Sequence, residues 1–364
     1  CDGLNSVIPY NDARYYELRP TIAIAPPDAA DSGSALDLNG SLGLHPALAS
    51  LHGLYQQGQL AVFPTTHYPN GSRSHFRSQH YIESGQQQNE SDGWINRHMQ
   101  TQSSSASYRA VGFGSELAQS LRGAETASSL TRLSDFSVGI DSNEESILLQ
   151  KVAPLYQQVG NSNNKRLLNR FGQKMFTELS VIEQVRAAGY TPANGAVYPS
   201  SGFGRQLQET AQLIKAGVGL EVATVDIGGW DTHSNQGGAV GRQASRHRDF
   251  ADSIAAFVTD LGQNMNDVVL MTSTEFGRTA AENGSAGTDH GYASTWYAIG
   301  GGIQGGIYGD WPGLQESELR DGRFLNSTVD YRDIYAEVLR HHMVNTDFAN
   351  ILPSHSPTPL NIFS

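Results

Sequence analysis

From Val222 the chain reads Val222-Ala223-Thr224-Val225-Asp226-Ile227-Gly228-Gly229-Trp230-Asp231-Thr232-His233. A short apolar, β-branched run that stops at a glycine pair predicts a strand running into a polar loop. Arg248 to Leu261 then repeats apolar residues at helical spacing, and Val268-Val269-Leu270-Met271 is a second unbroken apolar strand. Apolar strands separated by helices predict an α/β fold, with a parallel sheet covered by helices on both faces.

The same reading extends outward in both directions. Asp2 to Pro26 reads as loop, helical turn and a strand near Thr21-Ile22-Ala23-Ile24. Pro46 to Gln57 predicts a helix through Leu48, Leu51 and Leu54, followed after Gly58 by the strand Leu60-Ala61-Val62-Phe63. Ser74 to Glu83 predicts a helix opened by a polar residue. Residues 100–164, rich in Ser, Asn and Gln, read as a helical cap or insertion, with helical pieces at Ser115 to Leu121 and Glu144 to Tyr156. A long helix then carries Leu168, Phe171, Met175, Leu179 and Ile182 on one stripe, and another spans Arg205 to Lys215. Thr295 to Ile299 is a further strand, Gly300-Gly301-Gly302 a turn without a coenzyme fingerprint, and Tyr331 to Met343 a late helix. No repeat or linker divides residues 1–364, which read as a single domain with the insertion inside it.

Composition narrows the function classes. The 364 residues hold 24 Lys+Arg against 36 Asp+Glu, a formal charge of −12, with lysine only at 151, 165, 174 and 215. Such a chain offers no basic face for a phosphate backbone or an anionic lipid surface, so nucleic acid is not an expected partner. Cys1 is the one cysteine, which excludes an intrachain disulfide and a cysteine-ligated zinc site. No apolar run approaches the ~20 residues of a transmembrane helix. The opening at Cys1, without Met or a basic-then-apolar signal segment, reads as a processed form or an incomplete record.

In parallel sheets the ligand crevice lies at the carboxyl ends of the strands, so polar runs just after the predicted strands are the candidates. Four clusters qualify: Asp2-Gly3-Leu4-Asn5; Asn70-Gly71-Ser72-Arg73-Ser74-His75-Phe76; Gly228 to His233; and Thr274-Glu275-Phe276-Gly277-Arg278, with Thr288-Asp289-His290-Gly291 shortly after. Asp231 and His233, together with a distant histidine and more carboxylates, form a set of hard and borderline ligands for Zn²⁺, Mn²⁺, Mg²⁺ or Ca²⁺. A carboxylate at Glu275, directly after an apolar strand, must be paired or metal-bound if buried, and Arg278 is its alternative partner. Ser74 opens a helix, where backbone N–H groups and the helix dipole favour an anion. That position suits a nucleophile, with Arg73 or Arg278 holding the anion's oxygens and His75 in contact with substrate or moving a proton. An ordinary N-cap is the alternative for Ser74.

Taken together, Asp2-Gly3-Leu4-Asn5, Leu44-His45-Pro46, Arg73-Ser74-His75-Phe76, Gly228 to His233, Thr274 to Thr279 and Asp289-His290-Gly291 resemble the bacterial family catalogued as domain of unknown function 1501, in order from Asp2 to about Tyr308. That family is similar to the alkaline phosphatase and sulfatase superfamily, and many members carry a twin-arginine export signal. The resemblance implies a three-layer α/β/α sandwich with a mostly parallel sheet, one or two divalent metals, and a periplasmic or extracellular location. Carried over, it makes Ser74 the nucleophile, groups Asp2, Ser74 and Glu275 at one metal, and groups Asp231, His233 and His290, with adjoining Asp289, at the other. The superfamily commonly shows an Asp-His pair where this chain has Glu275-Phe276, so the first site is expected to be short of ligands, to prefer a harder ion, or to be empty. Neither Cys1 nor Ser74 sits in the Cys/Ser-x-Pro-x-Arg context of formylglycine sulfatases. The resemblance also implies an apolar strand leading into Asp2, which the chain as written does not include.

Two functions follow as expectations. One is an exported metal-dependent hydrolase of phosphate or sulfate esters, on small molecules or polysaccharides, with a phosphotransferase as its close variant. The other is a catalytically silent surface, matrix, self-assembling or carbohydrate-binding protein, suggested by Phe276, the Gly/Ser/Asn/Gln-rich composition and only 16% charged residues.

Overall fold

A computed structural model describes residues 1–87, 92–104, 106, 108–135, 147, 148, 150–154 and 163–364. The chain is a mixed α/β protein, and the strands among the described residues fall into three sheets. The largest is built on Leu60–His67, an eight-residue strand with every residue buried. Gly306–Ile307 and Val329–Asp330 pair with it in parallel, while Ser294–Gly300 pairs antiparallel and carries Val269–Met271, also antiparallel, on its far side. A second sheet is wholly parallel, with Ala110–Phe113 between Ser128–Leu130 and Val222–Val225. A small antiparallel sheet joins Val7–Ile8, Gly43–Leu44 and Leu36–Asp37.

The expectation of a mostly parallel sheet is met in part: the second sheet is wholly parallel, whereas in the largest one Ser294–Gly300 runs antiparallel to both of its neighbours. Between Met271 and Ser294 the chain forms no helix, so no crossover carries it back to the starting edge. A strand that begins where its predecessor ended must run the opposite way. The reading of residues 100–164 changes as well, because Ala110–Phe113 and Ser128–Leu130 are sheet strands and only Gln119–Leu121 is helical within Ser115 to Leu121. The helix expected over Glu144 to Tyr156 lies in part outside the described residues. Thr21 to Ile24 forms no strand, although Ile22 and Ile24 are buried.

Alternation along Leu60–Phe63 explains how helices cover the large sheet on two sides. Ala61 and Phe63 join Ile82, Trp94, Ile334 and Tyr335 in one core, whereas Leu60 and Val62 join Leu51, Leu54, Leu207 and Phe257 in another. The first core draws on helices His75–Ser84, Trp94–Thr101 and Tyr331–His341, and the second on Ala49–Gln56, Gly202–Lys215 and Arg242–Leu261. Local chemistry sets their ends. Ser201 Oγ accepts from the Gly204 N–H at 2.9 Å to start one helix, and the Asp330 carboxylate accepts from the Arg332 N–H at 3.0 Å to start another. No helix among the described residues is long and apolar enough to cross a membrane.

Four histidines, His45, His67, His98 and His247, are buried in this framework. His45 accepts from the Ala47 N–H through Nδ1, His247 meets Ser6 Oγ at 2.9 Å, and His67 packs between Tyr68 and Tyr292. Burial lowers the pKa of His45 from 6.5 to about 4 and that of His67 to about 3, and drives His247 well below its usual value. The folded-state values lie below the unfolded one, so between about pH 6.5 and 4 the unfolded chain binds more protons. Stability is thus predicted to fall as pH drops through that window. Melting temperatures in chelator at pH 7.5 and pH 5 check this; an equal or higher value at pH 5 contradicts it.

Candidate metal centre

Four loops meet at the end of the molecule toward which Leu60–His67, Val222–Val225 and Val269–Met271 run. The first places His75 at the start of its helix. The second carries Asp231 and His233, and its course is set by the Trp230 indole donating to the Ile227 carbonyl at 2.8 Å. The third and fourth, around Arg278 and His290, lie side by side as a short antiparallel ladder. Within it the Gly277 N–H donates to Tyr292 O and the Gly291 N–H to Gly277 O, both at 2.8 Å. A Cβ at Gly277 would stand 1.8 Å from Ala293 O, and one at Gly291 would stand 2.1 Å from Arg278 O. Only glycine permits that approach, which accounts for both glycines in the two motifs.

His75, Asp231 and His290 form a mutually close group at the centre. His75 Nε2 lies 3.0 Å from His290 Nε2 and 3.6 Å from Asp231 Oδ2, and His290 Nε2 lies 3.2 Å from Asp231 Oδ1. His233 joins at one flank, with its Nε2 3.2 Å from His290 Nε2 and 3.1 Å from Asp231 Oδ1. The other nitrogen of each ring faces an acceptor. His75 Nδ1 meets Glu275 Oε1 at 2.8 Å, His233 Nδ1 meets Asp289 Oδ1 at 2.9 Å, and His290 Nδ1 meets the Arg73 carbonyl at 2.9 Å.

That arrangement decides the tautomers. Carboxylates and carbonyls only accept, so each Nδ1 carries the hydrogen and each Nε2 of a neutral ring presents a lone pair. Three lone pairs and the Asp231 carboxylate then face one another at 3.0 to 3.6 Å with no hydrogen between the rings, and Arg278 is the donor that reaches Asp231 from below. Such a set is repulsive unless a cation lies between its members. It matches the way metal-bound histidines are held, with the outer N–H donated to a carboxylate or carbonyl. Imidazole and carboxylate donors together suit Zn²⁺ or Mn²⁺ better than ions that take oxygen alone.

The candidate residues thus take different positions. Glu275 and Asp289, expected as ligands, lie behind His75 and His233 and orient them. Burial works to raise the Glu275 pKa, but the nearby Cys1 amine and hydrogen bonds from His75 and Thr274 lower it overall. Hydrogen bonds from His233 and Asn283 lower that of Asp289. Arg278, expected to hold a substrate anion, is only 2% exposed and spends its guanidinium on Asp231 and on the Thr288 hydroxyl and carbonyl. Against the effect of burial, it lowers the Asp231 pKa. Asp2, also expected as a ligand, is buried and held at both oxygens by Arg19, at 2.7 and 2.9 Å, with Gln236 donating at 2.6 Å. Burial opposes its ionisation, and Arg19 and Gln236 more than offset this, so its pKa is lowered. Ser74 is exposed, precedes His75, and makes no side-chain capping bond.

A family model described as a protein of unknown function, DUF1501, matches residues 33–356. The chain belongs to the DUF1501 family. The matched span begins after Asp2-Gly3-Leu4-Asn5 and runs past Tyr308, so it includes His75, Asp231, His233, Glu275, Arg278, Asp289 and His290. Searches of curated proteins and of solved structures returned no match.

Sequence reasoning missed the groups beneath this candidate centre of the DUF1501 chain. Gln236 accepts from Thr232 and Thr288 and donates to Asp2, and Arg19 closes the row. Nothing local in Arg19-Pro20 signals a partner 17 residues away. Removing one member of a buried ion pair strands the other charge, at a cost of about 3–5 kcal/mol. Arg19→Met is therefore predicted to lose that much stability in urea unfolding, and Arg19→Met/Asp2→Leu to recover most of it. A single-variant loss below about 1 kcal/mol contradicts the assignment.

Proposed function

We propose that this chain is a hydrolase of phosphate or sulfate esters that depends on one divalent metal, held by His75, Asp231 and His290 with His233 beside them. The convergence of donor-free imidazole nitrogens on Asp231 carries the reading. A divalent ion there supplies Lewis acidity to an ester oxygen and lowers the pKa of a hydroxyl beside it. A second metal at Asp2, Ser74 and Glu275 is not part of the proposal, because Asp2 is engaged by Arg19 and Glu275 by His75.

The remaining roles fall to the chain's own groups. Ser74 is the candidate nucleophile: it is exposed, its hydroxyl makes no capping bond, and it stands at the amino end of a ten-residue helix whose N–H groups favour anionic oxygens. With Arg278 spent on Asp231 and Thr288, the exposed guanidinium of Arg73, 4.6 Å from the Phe324 ring centre, is the cation positioned for substrate. His75, first considered for proton transfer, serves as a ligand in this arrangement. Helices packed on both sides of the large sheet support an alkaline-phosphatase-like sandwich as the framework.

The test combines metal content with turnover. Protein purified without chelator should carry about one equivalent of metal by plasma mass spectrometry, and His290→Ala and Asp231→Ala should each lower it. An aryl phosphate, phosphodiester or aryl sulfate should be turned over by the parent, and Ser74→Ala should lose that turnover with metal content unchanged. Unchanged stoichiometry in both ligand variants overturns the centre, and full turnover in Ser74→Ala removes Ser74 from the chemistry. Metal without turnover of any ester in the panel favours the binding or surface-protein reading.

A further inference from the structure

Three arginines gather beside the candidate centre without an acidic partner. The guanidinium of Arg73 lies 4.6 Å from the Phe324 ring centre, that of Arg323 lies 5.4 Å from the same ring, and that of Arg320 lies 4.2 Å from the Tyr292 ring. Among the described residues none of the three guanidiniums has a hydrogen bond or an ion pair. Arginines closer to the core are spent, Arg19 on Asp2, Arg109 on Glu221, Arg278 on Asp231 and Arg332 on Asp330. The chain holds 36 acidic residues, yet none of those described comes within ion-pair distance of this trio. Charges left in this way are open to an anion from outside.

The fold fixes where they stand. Phe324 pairs with Thr279, next to the Arg278–His290 ladder, and the Ala280 N–H donates to Arg323 O at 2.9 Å, so residues 320–325 run alongside the Arg278 loop. Tyr292 follows His290 by two residues. Its hydroxyl donates to the Tyr68 carbonyl at 2.6 Å and the His67 ring packs edge-on against it at 4.2 Å, which holds the platform under Arg320 in place. Arg73 joins the patch to the centre: its carbonyl accepts from His290 Nδ1 at 2.9 Å, its side chain reaches Phe324, and Ser74 is the next residue. A ring face seats a guanidinium without using its N–H donors, which stay free for anionic oxygens. Two like charges drawn to one ring also repel, and an anion between them removes that cost.

We propose that Arg73, Arg320 and Arg323 form a second anion site beside the candidate centre, and that the substrate is an ester bearing a further phosphate or sulfate group on the same molecule. The proposal rests on the reading of the centre as an ester hydrolase and specifies its substrate. One anionic group lies at the centre beside Ser74, the other lies at Arg320 and Arg323, and Arg73 stands between them. Planar N–H forks fit phosphate and sulfate oxygens alike. Three arginines suit a small polyanion and not the long run of phosphates along a nucleic acid.

Titration calorimetry tests this on protein stripped of metal, freed of chelator and kept at low salt, so that neither metal nor turnover is required. The probes are two matched pairs: glucose 1,6-bisphosphate with glucose 6-phosphate, and N-acetylgalactosamine 4,6-disulfate with its 6-sulfate. The doubly charged member of at least one pair should bind at least about tenfold more tightly, and the pair that shows it names the group. Arg320→Gln/Arg323→Gln should lose that preference. Arg122→Gln/Arg186→Gln, which removes the same charge at exposed positions outside the four loops, should keep it. If the first double variant does not fold, Arg323→Gln, at an exposed side chain, carries the comparison. Equal binding within both pairs, a preference that survives the loss of Arg320 and Arg323, or an equal loss in the control variant overturns the proposal. A preference that depends on Arg320 and Arg323 in a protein that turns over no ester upholds the anion site and removes the hydrolase reading instead.

Discussion

A buried row of polar groups carries the centre. Arg19 holds Asp2, Gln236 donates to Asp2 and accepts from Thr288, Thr288 accepts from Arg278, and Arg278 reaches up to Asp231. Every member below Asp231 is almost wholly excluded from water. Buried polar groups are costly unless satisfied, and a fully connected network has one arrangement that satisfies all of them. The consequence reaches the surface: Asp231 is half exposed, yet its position is dictated by a guanidinium that cannot turn elsewhere. The ladder between the Arg278 and His290 loops, closed by Gly277 and Gly291, brings His290 to the same point.

The imidazoles follow the same logic at the rim. Glu275, Asp289 and the Arg73 carbonyl each take one N–H, which turns three lone pairs inward. Three carboxylates, Asp231, Glu275 and Asp289, each held below its usual pKa, crowd around three imidazole rings in a protein that is itself acidic. Two histidine nitrogens 3.0 Å apart without a hydrogen between them are stable only with a positive charge shared between them. The candidate ligands and their supporting groups therefore belong together, and neither is explained by packing alone.

Much of this was legible as position and little of it as partnership. Apolar runs ending in polar loops marked Asp231, His233, Glu275 and His290, because buried strands and crevice loops differ sharply in composition. His75 was visible at a helix start, but its role was not, since one ring can bind metal, move a proton or touch substrate. Glu275 and Asp289 lie one contact further out than the sequence suggested, and the sequence does not encode distance from the centre. Arg278 beside Glu275 invited a pairing that the fold does not make. The direction of Ser294–Gly300 escaped for a related reason: an apolar run shows that a strand exists, while its sense depends on where the previous loop leaves the chain.

The central claim is a cation held by imidazole nitrogens and Asp231, and X-ray absorption at the metal edge examines it most directly. For the zinc-loaded protein the account predicts nitrogen and oxygen neighbours at about 2.0–2.2 Å, with the outer scattering of at least two imidazole rings and no sulfur. A spectrum of hexa-aquo zinc, or a first shell without imidazole, would contradict it.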